Sequence, residues 1–112
     1  MGRFIKGDVL VIPFPFSDLS SNKRRPALVL SALDGDDVIL CQITSREVRD
    51  EYAIPLSIED FREGNLNRES SIRPNRLFTA DESIVAYKAG TVNRDTMKLV
   101  VDKVVEIVSK DA

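Results

Sequence analysis

The sequence predicts a mainly β chain of the α+β class, a small antiparallel barrel followed by a single C-terminal α-helix. Three observations carry that prediction. Short runs of β-branched and aliphatic residues recur between clusters of glycine, proline, serine and aspartate, the pattern of strands joined by turns. The apolar period changes to helical spacing only after Asn93. At 112 residues there is chain for one core and too little for two, so strands and helix must share it and residues 1–112 read as a single domain.

Asp8–Pro13 (DVLVIP) is the first strand, closed by Pro13 and Pro15. The loop after it carries Phe14 and Phe16, whose spacing of two puts both rings on one face, either folded back on the core or free to stack on bases. Ala27–Ser31 is the second strand, Leu33–Asp37 (LDGDD) supplies a hairpin turn, and Val38–Ile43 returns as the third strand. Tyr52–Ile58 is a further strand in which Pro55 favours an edge or a bulge. Asp60–Asn67 reads as a helical turn or loop stopped by Gly64. Ser70–Leu77 follows, then a turn over Thr79–Glu82 and a last strand over Ser83–Val92, with Gly90 at a bulge or bend. Asn93 is placed to cap a helix whose apolar stripe is Met97, Val100, Val101, Val104 and Val108. Its many valines depress helix propensity, so packing has to hold it.

Composition excludes several chemistries. There is no histidine, which removes the commonest general base and metal ligand and with them a Ser-His-Asp triad or a histidine zinc site; no metal or cofactor is expected. The single cysteine, Cys41, lies in the apolar run VILCQI and reads as a small core residue. The N-terminal MGRFIKGD lacks a signal-peptide apolar region, and no apolar run approaches the roughly 20 residues of a membrane span, so a cytoplasmic chain is expected. A net charge of −2 makes no basic whole, so any polyanion site has to arise from local segregation of charge.

Segregation is visible. Cations gather at Lys23, Arg24 and Arg25 and again at Arg68, Arg73 and Arg76, while acids gather elsewhere. Pro26 stiffens the backbone at Arg25 and holds it out of the helical region, which presents the guanidinium from a strand mouth. Arg25 stands ten residues before Gly35 and Thr44 nine after it, so an antiparallel hairpin brings the two side by side. An arginine beside a hydroxyl suits a phosphate oxygen; equally, Thr44 would satisfy a strand-end backbone group and the cations would form a solvated loop.

GDVLVIPFPFSDLSSNKRRPALVLS, then QITS and then SSIRPNRLFTAD, resemble the MazF/PemK family of type II toxins, Kid-like members included, over nearly the whole chain. The resemblance implies an SH3-like antiparallel barrel with a C-terminal helix, a homodimer, a cognate antitoxin that covers the cleft, and metal-independent, sequence-specific cleavage of single-stranded RNA. It places the family's strand-start arginine on Arg25, its strand-end threonine on Thr44 and a further arginine, the general acid of Kid-like members, on Arg73. The family's general-base aspartate falls on Asn75, which cannot take a proton, and its loop histidine has no counterpart. Asp18 is then the candidate base. Lys23, Arg24, Ser45, Arg46, Asn75, Arg76, Phe16 and Ser20 are the expected RNA contacts. Two other functions fit a small barrel: CcdB-like poisoning of gyrase, for which the chain lacks the typical tryptophan near its VSKDA end, and non-catalytic nucleic-acid or peptide binding.

Overall fold

A computed structural model describes residues 3–13 and 24–111. In chain order the elements are β1 (Asp8–Pro13), β2 (Arg24–Ala32), β3 (Asp37–Thr44), β4 (Ile54–Leu56), β5 (Phe61–Gly64), β6 (Ser70–Asp81), β7 (Tyr87–Val92) and α1 (Arg94–Val108). The strands form one sheet in the order β4-β6-β3-β2-β1-β7-β5, with every pairing antiparallel.

The central strands are buried on both faces, which is why they read as continuous apolar runs. Val9, Leu28, Cys41 and Ile43 pack with Leu56, Ile72 and Val92 and with Met97 and Val100 of α1. Their neighbours Leu10, Ile12, Ala27, Val29, Val38 and Leu40 pack on the other side with Ala80, against Phe4, Phe78 and Val85. Adjacent residues on a strand point to opposite faces, so each run feeds two apolar layers at once. Cys41 is fully buried, and burial pushes its thiol up to about 12 against a backbone hydrogen bond at Leu28 that pulls the other way.

The helix starts where Asn93 predicts, its side chain accepting the Thr96 N–H at 2.8 Å. Met97 and Val100 are buried and Val101 and Val104 partly so, whereas Val108 is 66% exposed and lies beyond the edge of the sheet's cover.

Four elements differ from the sequence expectation, each for a local reason. The strand expected over Tyr52–Ile58 is confined to Ile54–Leu56, because the Asp50 carboxylate accepts the Tyr52 and Ala53 N–H groups and holds them in a turn. Within Asp60–Asn67 the chain forms β5, since Ser57 and Asp60 cap each other and confine the helical turn to Ile58–Asp60. The turn expected over Thr79–Glu82 is strand as far as Asp81, because β6 pairs with β3 up to Asp37↔Asp81. Finally, β7 begins only at Tyr87, after a short 3-10 turn over Glu82–Ile84 that Asp81 caps by accepting the Ser83 N–H.

Glycine is required where β5 meets β7. Gly64 has φ +71° and stands opposite Gly90; a Cβ on Gly64 would lie 2.2 Å from the Ala89 carbonyl oxygen. At the same end of β7, buried Asp8 accepts the Ile5 N–H at 2.9 Å and the Thr91 hydroxyl at 3.0 Å, with Lys88 Nζ at 4.0 Å. The Gly7-Asp8 start of β1 thus ties the N-terminal lead to β7. Among the described residues no helix is long and apolar enough to cross a membrane.

Candidate functional site

The β2–β3 ladder sets the site. Its pairs run to Ala27↔Gln42, and continuing that register two residues places Arg25 opposite Thr44, which itself pairs with Ser71 of β6. Arg25 also pairs with Ile12 on the β1 side. The hairpin geometry expected from the spacing about Gly35 is therefore present, although Arg25 lies inside β2 rather than at its mouth.

Around this row opens a cavity of about 510 Å³. Its floor is apolar, made by Val11, Pro26 and Ile43, and its walls carry Arg24, Arg25, Arg46 and Arg68 with the hydroxyls of Thr44, Ser45 and Ser70; Leu66 and Tyr87 complete it. Among the described residues no carboxylate lines it, and none of these arginines has an ion pair. Four lining arginines with no counter-charge among the described residues make a positive local field suited to an anion on a chain whose net charge is negative. Thr44 Oγ1 accepts the Arg46 N–H at 3.1 Å, which orients the hydroxyl while leaving its own O–H free to donate. A second cavity, about 400 Å³, lies beside the first turns of α1 between Lys6, Arg62, Arg94 and Lys98; Asp102 also lines it and pairs with Lys98 at 2.9 Å. It contains none of the candidate catalytic or RNA-contacting residues read from the sequence.

Arg73 stands apart from the cleft lining. It pairs with Gln42 of β3, two residues along from the Thr44↔Ser71 pair, and its Nη2 donates to Asp50 Oδ2 at 3.0 Å. Its Nε is buried with no hydrogen-bond partner. Desolvation pulls the Asp50 carboxyl up, but the hydrogen bond from Arg73, those from the Tyr52 and Ala53 N–H groups and the charge of Arg73 together hold it below the usual carboxylate range. Asn75 and Arg76 are exposed where the β3–β6 register breaks, from Cys41↔Leu77 to Gln42↔Arg73, so that Pro74, Asn75 and Arg76 bulge out of the ladder. Phe16, Asp18, Ser20 and Lys23 lie outside the described residues.

The structure therefore brings Arg24, Arg25, Thr44, Ser45 and Arg46 into one cleft and leaves Arg73, Asn75 and Arg76 off its lining. It adds Arg68, Ser70 and Tyr87. Arg68 belongs to a cation cluster visible in the sequence; Tyr87 carried no local signal, because a lone aromatic at a strand start is unremarkable until the neighbouring strands are known. Among the described residues no group of three or more His, Cys, Asp or Glu side chains is placed to hold a metal ion.

No curated protein sequence matches the chain. Its fold is similar to those of several solved structures. An endoribonuclease in complex with its cognate antitoxin, from a mycobacterial species, aligns with TM-score 0.75 at 13% identity, covering 97% of this chain and 98% of the other. MazF in a MazE–MazF structure from Deinococcus radiodurans aligns with TM-score 0.72 at 18% identity, covering 96% and 97%. The Mycobacterium tuberculosis toxin MazF-mt6 aligns with TM-score 0.71 at 14% identity, covering 94% and 99%. At these identities the likeness is one of fold. The sequence itself matches the family model described as PemK-like, MazF-like toxin of type II toxin-antitoxin system over residues 5–108, and the chain belongs to that toxin family.

Proposed function

We propose that this toxin is an endoribonuclease that cuts single-stranded RNA at short sequences, using the RNA's own 2′-hydroxyl as nucleophile and no metal ion. The observation that carries this reading is the cleft that Arg25 and Thr44 line together with Arg24, Arg46 and Arg68, with no carboxylate among its described lining residues. A phosphate seated there meets the Arg25 guanidinium and the free O–H of Thr44. Attack of the adjacent 2′-oxygen on phosphorus, in line with the 5′-oxygen, forms the new P–O bond as the old one breaks; the base takes the 2′-hydroxyl proton and water supplies a proton to the departing 5′-oxygen, leaving a 2′,3′-cyclic phosphate and a 5′-hydroxyl. Arg25 stabilises the charge that gathers on the non-bridging oxygens, a fixed electrostatic contact worth about 10²–10³ in rate.

Arg73 is assigned to the same charge as a second cation. Its guanidinium does not deprotonate in proteins, which favours electrostatic stabilisation over acid catalysis. Asp18 is the proposed base, and Lys23, Arg24, Ser45, Arg46, Asn75, Arg76, Phe16 and Ser20 are the proposed RNA contacts. The fold's similarity to an endoribonuclease bound to its cognate antitoxin supports a protein antitoxin as partner, and a homodimer acting on messenger RNA in the cytoplasm completes the reading.

The test is incubation of purified, antitoxin-free protein with a long RNA in excess EDTA, beside Arg25→Ala and Asp18→Asn, with mapping of cut sites and end groups. Wild type should cut at a short recurring sequence and leave 5′-hydroxyl ends, Arg25→Ala should lose about 10²-fold or more, and Asp18→Asn should lose rate and the rise of rate with pH across the acid range in which a carboxylate ionises. RNA that is bound but left whole would mean a binding module. An Asp18→Asn protein with unchanged rate and pH profile would remove Asp18 as base.

A further inference from the structure

We propose that Tyr87 stacks on a base flanking the scissile phosphate and that Arg68 holds the neighbouring phosphate, so that the cleft reads RNA beyond the cut. The proposal rests on the ribonuclease reading above. Tyr87 opens β7 and pairs with Val11 of β1, which in turn pairs with Pro26 of β2. These three residues form one cross-strand row, and all three line the cleft. Strands in a sheet lie about 4.8 Å apart, so the backbone of Tyr87 stands two spacings, about 10 Å, from Pro26, the residue next to Arg25. The ring therefore ends an apolar shelf that begins beside the phosphate site.

Tyr87 belongs to neither apolar cluster and is 53% exposed, so core packing does not account for it. A planar ring at the end of an apolar shelf, in a space lined by four arginines and, among the described residues, no carboxylate, matches a polymer that alternates flat bases with anionic phosphates. An acidic peptide would satisfy the arginines but supplies no flat face for the ring. With Arg25 engaged, Arg24, Arg46 and Arg68 remain in the cleft lining without an ion pair among the described residues, and Arg68 is the one assigned to the second phosphate.

The chain has two tyrosines and no tryptophan, which makes the ring directly observable. Tyr52, the other tyrosine, lies with Lys110 Nζ 5.2 Å from its ring centroid and is absent from the cleft lining. In a Tyr52→Phe protein all tyrosine fluorescence comes from Tyr87. The probe is an end-labelled, mixed-sequence 2′-O-methyl oligonucleotide of about eight nucleotides, which binds as single strand and offers no 2′-hydroxyl for attack. Tyrosine emission should be quenched on titration, saturating together with the anisotropy of the label. Tyr87→Ala should weaken binding about tenfold or more and Tyr87→Phe about twofold or less, while Arg68→Ala should weaken it and flatten its salt dependence. With cleavable RNA, Tyr87→Ala should raise KM and leave kcat nearly unchanged. Binding without quenching, binding by Tyr87→Ala at wild-type affinity, or quenching by an acidic peptide alone would overturn the proposal and leave the ribonuclease reading standing. Absence of binding to any single strand would overturn both. The quenching arm uses a protein with Tyr87 intact, so it decides the matter even if Tyr87→Ala fails to fold.

Discussion

At the scale of single residues, the contrast between Arg25 and Arg73 is one of charge compensation. Arg25 lines a cavity without acids among the described residues, whereas Arg73 is held at 3.0 Å by a carboxylate that stays ionised below the usual range. Because folding depresses the Asp50 pKa, the contribution of this pair is fully present above the unfolded carboxylate value of about 3.9 and is lost as pH falls through the lower folded value. The melting-temperature difference between wild type and Asp50→Asn should therefore be constant from about pH 7 to pH 5 and should shrink below about pH 4. A difference that grows on acidification would show that Asp50 is not held ionised by Arg73. Arg25 and Thr44 were legible at this scale because a hairpin turn and a spacing suffice to pair them. Tyr87 was not, because its place in the cleft depends on β7 lying against β1, a contact between residues far apart in sequence.

At the scale of elements, the strands read from apolar runs exist, and their ends are decided by competition for backbone donors. Asp50, the Ser57–Asp60 box and Asp81 each take N–H groups that would otherwise extend a strand or a helical turn. The least legible element was β5, a short edge strand with little apolar content whose existence rests on the close approach of Gly64 to Gly90. Gly64→Ala meets both a left-handed φ and a backbone clash, so it should destabilise the protein by about 2 kcal/mol or more, read from chemical denaturation. Gly35→Ala, where φ is also positive but nothing lies near the added carbon, should cost about 1 kcal/mol. Equal losses at the two sites would mean that the β5–β7 contact contributes nothing beyond backbone strain.

At the scale of the whole molecule, a net charge of −2 coexists with a cleft of four uncompensated arginines. Attraction for RNA must then come from the cleft, since the overall charge is of the wrong sign. Single-strand binding releases counterions with a slope of about −0.7 per phosphate contact, so the four cleft arginines alone account for a slope near −3 in a plot of log K against log salt, and contacts by Lys23, Arg73 and Arg76 would add to it. Arg68→Ala should reduce that slope by about 0.7. A much steeper slope in the wild type would place phosphate contacts outside the cleft.

The sequence by itself determined the first three strands, the capped helix, the buried thiol and the register that sets Arg25 against Thr44. These follow from local signals: apolar period, turn and cap chemistry, and distance from a turn. Tertiary structure decided which cations remain free and which ring joins them. Sheet order placed Tyr87 three strands from Ile43 along one row and set Asp50 against Arg73 across 23 residues. The physical reason is that a charge's value depends on its neighbours' charges and on access to water, and both are set by packing between segments that the chain order keeps apart.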